Sequence, residues 1–179
     1  HLMITNGATT EVAKHDWQLR FPENSTAFSH MIVVVPASEV DFLSKEGDVN
    51  GEKMRIDVYC RKDAPTSAVH VLNETAISLR KYSKSMGKWD HGNDCIVYVW
   101  KGNDGRSMEY DGATTTALGA LDHEIFHSWF GRGVKPASQN AGWWDEAFNV
   151  YFADERRPNK RVVQKEGKPV TLSSSNPYN

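Results

Sequence analysis

His123-Glu124-Ile125-Phe126-His127, followed by Trp143-Trp144-Asp145-Glu146-Ala147-Phe148, is the stretch whose reading decides the fold. Residues four apart on a helix sit about 5–6 Å apart on one face, so both imidazoles can reach a single ion. Glu124 falls about 100° round the same helix, beside that ion rather than on it. There it can take a proton from a water whose pKa the ion lowers to roughly 7. Two histidines leave a tetrahedral zinc short of protein ligands, and Glu146 is the third. The fourth position stays open, as a catalytic site requires and a structural one does not. The pattern predicts Zn2+ held by His123, His127 and Glu146, with Glu124 as the catalytic base.

A random shuffle of this composition yields H-E-x-x-H in roughly two chains per hundred, and a fixed later glutamate makes it far rarer. The flanks agree. Leu118, Leu121, Ile125 and Trp129 recur at spacings of three and four, the apolar stripe of a helix with a buried face. Gly131, Gly133, Pro136 and Gly142 then turn the chain. Trp144, Ala147, Phe148, Tyr151 and Phe152 form a second stripe, expected to pack back on the first and bring Glu146 to the histidines.

A length of 179 residues suits one sizeable core or one lobe of a larger enzyme. With 39% apolar and 11% aromatic residues the composition is that of a folded, soluble chain. A net charge of −2 with no long basic run argues against nucleic acid as a partner. No apolar run approaches the ~18 residues of a membrane span. The N-terminus shows no signal-peptide pattern, and His1-Leu2-Met3 reads as a cloning scar. Cys60 and Cys95 lie in apolar, strand-like runs and are read as buried thiols, which leaves the compartment open.

Upstream of the motif, residues 27–36 read as an apolar strand ended by Pro36. Residues 53–60 alternate Met54, Ile56, Val58 and Cys60 with polar neighbours, a half-buried strand after the Gly47-Asp48-Val49-Asn50-Gly51 turn. A helix opens after Pro65-Thr66-Ser67, carries Val69, Leu72, Ala76, Leu79, Tyr82 and Met86 at helical spacing, and stops at Gly87. Residues 96–100 and 107–112 read as strands, the latter at a sheet edge. Arg156-Arg157-Pro158 breaks the last helix, and Lys165-Glu166-Gly167-Lys168 suggests a hairpin. Three segments follow: residues 1–35, a strand segment ending a preceding β domain or packed on the lobe; 36–155, the catalytic lobe; and 156–179, a hairpin-like tail leading to a missing part.

Residues 120–154 resemble the catalytic helices of the aminopeptidase N family, gluzincin zinc metallopeptidases that carry H-E-x-x-H, eighteen residues, then E. Residues 128 to 145 supply those eighteen here. His127-Ser128-Trp129-Phe130-Gly131 resembles the family's H-x-W-F-G, and Trp144-Asp145-Glu146-Ala147-Phe148 its W-x-N-E-G-F. Ser107-Met108-Glu109-Tyr110-Asp111-Gly112 is similar to its G-A-M-E-N-x-G strand. The chain departs from the pattern at Arg106-Ser107, Tyr110, Asp145 and Ala147, and only thirteen residues separate Glu109 from His123. Those departures leave room for the related glycyl-aminopeptidase family.

The resemblance implies an α+β, thermolysin-like zincin lobe: a mixed sheet with an edge strand over the H-E-x-x-H helix, and an antiparallel helix carrying the third ligand. It implies that Glu109 binds the free amino group of a peptide substrate, while the strand backbone around Met108 pairs with the extended peptide. Asn149 and Asp154 are candidates to orient a ligand histidine through its second nitrogen. The family's oxyanion-binding tyrosine lies well downstream of the third ligand; Tyr178 and Tyr151 are poor stand-ins. This chain is therefore expected to be an excised piece that binds zinc but hydrolyses peptides slowly. The expected activity is removal of N-terminal residues from peptides. A thermolysin-type endopeptidase and a non-catalytic scaffold of the same fold are the alternatives.

Overall fold

A computed structural model describes residues 1–23, 25–100, 107–137 and 143–153. Four short strands come first: β1 (Leu2–Thr5), β2 (Ala8–Ala13), β3 (Asp16–Arg20) and β4 (Ile32–Val35). β1 pairs antiparallel with β4, and β2 with β3. The apolar run expected to be one strand over 27–36 is shorter, because Ala27–Ser29 forms a 3-10 turn before β4 begins.

The lobe itself is a five-stranded mixed sheet. It comprises β5 (Val40–Val49), β6 (Glu52–Arg61), β7 (Asp94–Val99), β8 (Met108–Tyr110) and β9 (Ala113–Thr116), in the order β5-β6-β7-β9-β8. β6, β7 and β9 run parallel to one another; β5 and β8 are the antiparallel edges. Asn50 and Gly51 close the β5–β6 hairpin with φ of 54° and 92°. Both residues tolerate that left-handed region, which a tight two-residue hairpin demands.

α1 (Ala68–Met86) crosses from β6 to β7. Ser67 caps it, accepting from the His70 N–H at 3.3 Å. Its buried face carries Val71, Leu72, Thr75, Leu79 and Tyr82, whereas Val69 is exposed. The face is thus rotated slightly from the expected stripe, since Val71 rather than Val69 meets the sheet. Val58, Val71, Leu79, Val97, Leu121, Ile125 and Phe126 share one buried cluster. On the opposite sheet face Ile4, Met31 and Val35 share a second with Val40, Tyr98 and Ala113.

α2 (Leu121–Phe126) and α3 (Trp143–Phe152) complete the described chain. α2 is shorter than its apolar stripe suggested. Leu118–Ala120 is a 3-10 turn, and after Phe126 the Ser128 and Trp129 N–H groups bond three residues back, tightening the end. Leu121, Ile125 and Trp129 are nonetheless buried. α3 departs from expectation more. Its buried side holds Asp145, Asn149 and Ala153, while Phe148 and Tyr151 are 42% and 59% exposed. The helix is turned so that Asp145 and Asn149 reach the α2 segment, while of the aromatic stripe Phe152 stacks on Phe126, centroids 5.8 Å apart, and Phe148 on Phe130, centroids 5.0 Å apart.

Both cysteines are free and buried; burial pushes the Cys95 thiol up to about 12. Among the described residues no helix is long and apolar enough to cross a membrane. The expected 165–168 hairpin, Tyr178 and Asp154 lie outside the described residues.

Candidate metal centre

Asp122, the second residue of α2, ties it to α1. Its carboxylate accepts from Ser78 Oγ at 2.5 Å, Tyr82 Oη at 2.6 Å and Lys81 Nζ at 3.0 Å. The next residue, His123, therefore starts from a fixed position. His127 follows one turn later, at the C-cap, with its N–H directed to His123 O at 3.4 Å. Beyond it the chain folds back through Gly131, whose φ of 109° and contact with Asp145 both require glycine. A Cβ there would collide with the Asp145 carboxylate.

Glu146 in the first turn of α3 closes the site. His123 Nε2 and His127 Nε2 lie 3.3 Å apart, and Glu146 Oε2 is 3.3 Å from the first and 3.7 Å from the second. Ligand atoms about 2.0–2.1 Å from a tetrahedral zinc are about 3.3–3.4 Å from one another, so this triangle fits one face of such a site. Two nitrogens and one carboxylate oxygen also match zinc chemistry rather than that of magnesium or calcium, which take oxygens.

The tautomer of His127 follows from its other nitrogen. Nδ1 lies 2.7 Å from Asp145 Oδ1 and 3.2 Å from Phe130 O, both acceptors only. Nδ1 must therefore carry the proton, which leaves the Nε2 lone pair free for a metal. His127 is 1% exposed. Burial alone would lower its pKa, but hydrogen bonds to Asp145 and Glu146 and the charge of Glu109 outweigh it and push it up to about 10. Without a metal, a proton takes the metal's place between these carboxylates.

Glu124 is 6% exposed beside the triangle. Its pKa is pushed up to about 7, chiefly by desolvation; His127 and His123 oppose the rise, and Glu109 and Glu146 add to it. Such a carboxyl exchanges protons near neutral pH, as a general base and acid must. Glu109, on edge strand β8 and 8% exposed, offers an oxygen within 4.8 Å of ligand-type atoms of both Glu124 and His127. Arg132 Nη2 donates to Glu109 Oε1 at 3.0 Å and stands 3.9 Å from Asp145 Oδ2. Met108, beside Glu109 on β8, is partly exposed.

The structure thus gathers His123, His127, Glu146, Glu124 and Glu109 in one place. Two participants escaped the sequence reading. Asp145, not Asn149, holds the second nitrogen of His127; Asn149 Nδ2 instead donates to the His123 backbone carbonyl at 2.8 Å. Asp145 directly precedes Glu146, and its departure from the asparagine of the motif it resembles was its only signal. Arg132 had none. Tyr151 is exposed and meets Phe152 edge-on. His91 bonds Ser128 O at 2.7 Å, and His30 stacks on Phe21, so neither belongs to the centre.

No family sequence model and no curated protein sequence matches the chain. Solved structures do. The fold is similar to that of the M1 zinc metallopeptidase from Deinococcus radiodurans, with a TM-score of 0.67 at 20% identity over 84% of this chain and 36% of that one. A point mutant of the Deinococcus enzyme bound to a Tyr-Ser-Ala substrate gives 0.66 at 19%, with the same coverages. A two-domain M1 zinc metallopeptidase mutant bound to L-arginine gives 0.65 at 18%, again over 84% and 36%. The chain spans about a third of the length of these structures. What it shares with them is a mixed α+β fold.

Proposed function

We propose that this lobe hydrolyses peptide bonds with a zinc ion held by His123, His127 and Glu146, and that it removes N-terminal residues. The observation that carries the reading is the 3.3–3.7 Å triangle of donor atoms with a buried Glu124 beside it. A zinc ion there would supply Lewis acidity, polarising the scissile carbonyl and acidifying water. Glu124, buried beside the triangle, takes the proton from the attacking water and delivers it to the departing amine. Asp145 keeps His127 in the tautomer that presents Nε2. Glu109 anchors the substrate ammonium, and the β8 backbone around Met108 lines up the extended peptide.

Glu124→Gln tests the reading. It should lower peptide hydrolysis about 10²–10⁴-fold while zinc content, measured by atomic emission, stays at the wild-type level. Hydrolysis unchanged by the substitution would remove Glu124 from the chemistry. A competing endopeptidase reading draws on Arg132, which already occupies one oxygen of Glu109. Rates on free against N-acetylated peptides separate the two, since only an N-terminal anchor penalises acetylation.

A further inference from the structure

We propose that Arg132 is the positioning residue of the substrate-ammonium anchor, setting the carboxylate of Glu109 for an incoming amine. The proposal rests on the reading of Glu109 as that anchor. Four carboxylates crowd the centre: Glu109, Glu124, Asp145 and Glu146. Arg132 pairs with two of them, Glu109 at 3.0 Å and Asp145 at 3.9 Å.

Its backbone is held on both sides. The Arg132 N–H donates to His127 O at 2.9 Å, and Gly131 N–H to Val134 O at 2.9 Å. Gly133 packs so closely that a Cβ would strike Ser128 O. The guanidinium therefore leaves a rigid turn, and its side chain is 13% exposed.

Nη2 takes one oxygen of Glu109, Oε1, at 3.0 Å. An ionised carboxylate has about four acceptor positions on two oxygens, so one bound by arginine still accepts an ammonium. Without Arg132, Glu109 would lose the hydrogen bond that holds its Oε1 in place. A bond that orients an anchor lowers the ordering cost of binding, which is how pre-organisation raises affinity. A buried ion pair contributes little net stability, because desolvation offsets its attraction. The role of Arg132 should accordingly show in ligand selectivity rather than in folding.

Titration calorimetry of the zinc-loaded protein with leucine hydroxamate and with N-acetyl-leucine hydroxamate reads the anchor without turnover, through the ratio of the two dissociation constants. Wild type should favour the free amine. Arg132→Met should shrink that preference about tenfold with zinc retained, and Arg132→Lys, which keeps a single-point donor, should restore most of it. An unchanged preference in R132M overturns the proposal. So does equal weakening of both hydroxamates, or loss of zinc, either of which would place Arg132 in support of Asp145 instead. If Glu109→Gln leaves the preference intact, the anchor reading itself fails, whatever R132M does.

Discussion

On one side of α2, Asp122 accepts from Ser78, Tyr82 and Lys81 within 2.5–3.0 Å, and Lys81 supplies its countercharge. On the other side, among the described residues, Glu109, Glu124, Asp145 and Glu146 lie close to Arg132, His123 and His127. The first network is satisfied within itself and holds two helices together. The second gathers buried ionisable groups: desolvation raises the Glu124 pKa to about 7, and, against desolvation, hydrogen bonds to Asp145 and Glu146 raise that of His127 to about 10. Buried like charges are costly unless a cation joins them. One helix thus has a face that ties it to α1 and a face that gathers buried carboxylates and imidazoles.

The sharpest way to break this comparison is to remove side chains from the second face, on the proposal that it binds zinc. His127→Ala should weaken zinc binding by more than about 100-fold, since removing even a group that orients a ligand costs about 10–100-fold. Asp145→Ala should fall within that range. Competition against a chromophoric chelator measures both. Wild-type affinity in D145A would show that the 2.7 Å contact with His127 does nothing for the metal.

The satisfied face should respond in the opposite sense. Asp122→Ala removes the carboxylate that accepts from Ser78 Oγ and Tyr82 Oη, at a cost of about 1–3 kcal/mol in urea unfolding, the penalty of an unsatisfied buried donor. Zinc stoichiometry at saturating metal should remain that of wild type. Loss of zinc together with stability would mean that the two networks are not separable.

The division also explains what the sequence disclosed. Periodic burial made α1, β6 and β7 legible, and the H-E-x-x-H spacing with its later glutamate pointed to His123, His127 and Glu146, which the structure brings together. β5 escaped because Val40 and Val49 are its only buried residues, so its charged interior shows no alternation. β2 is exposed along its whole length, and β9 is a run of threonines. The orientation of α3 was legible only in part: Phe152 of its apolar stripe stacks on Phe126 as expected, but Phe148 and Tyr151 are exposed and Asp145 and Asn149 lie inward. Hydrophobic period reports burial, and here polar demand overrode it. Arg132 is set by a glycine-bracketed turn that juxtaposes residues 23 apart, a tertiary fact without a local pattern.

The smallest effect concerns the cost of keeping Glu124 buried. Its folded-state pKa of about 7 lies above the ordinary 4.5. Between those values the folded protein holds a proton that the unfolded chain has released. The contribution of this carboxyl is therefore most favourable below about pH 4.5, declines as pH rises, and is lost above about pH 7. One pKa unit corresponds to about 1.4 kcal/mol, so a rise from 4.5 to about 7 makes the decline about 3 kcal/mol. Glutamine at 124 does not titrate. In the metal-free chain, Glu124→Gln should thus gain stability relative to wild type by that amount between pH 4.5 and pH 8. The His127 contribution, full below about pH 6.5 and lost as pH passes about 10, is common to both proteins and largely cancels in the difference. Urea unfolding of both at the two pH values gives that difference directly. A variant-minus-wild-type stability independent of pH would mean that Glu124 is not desolvated.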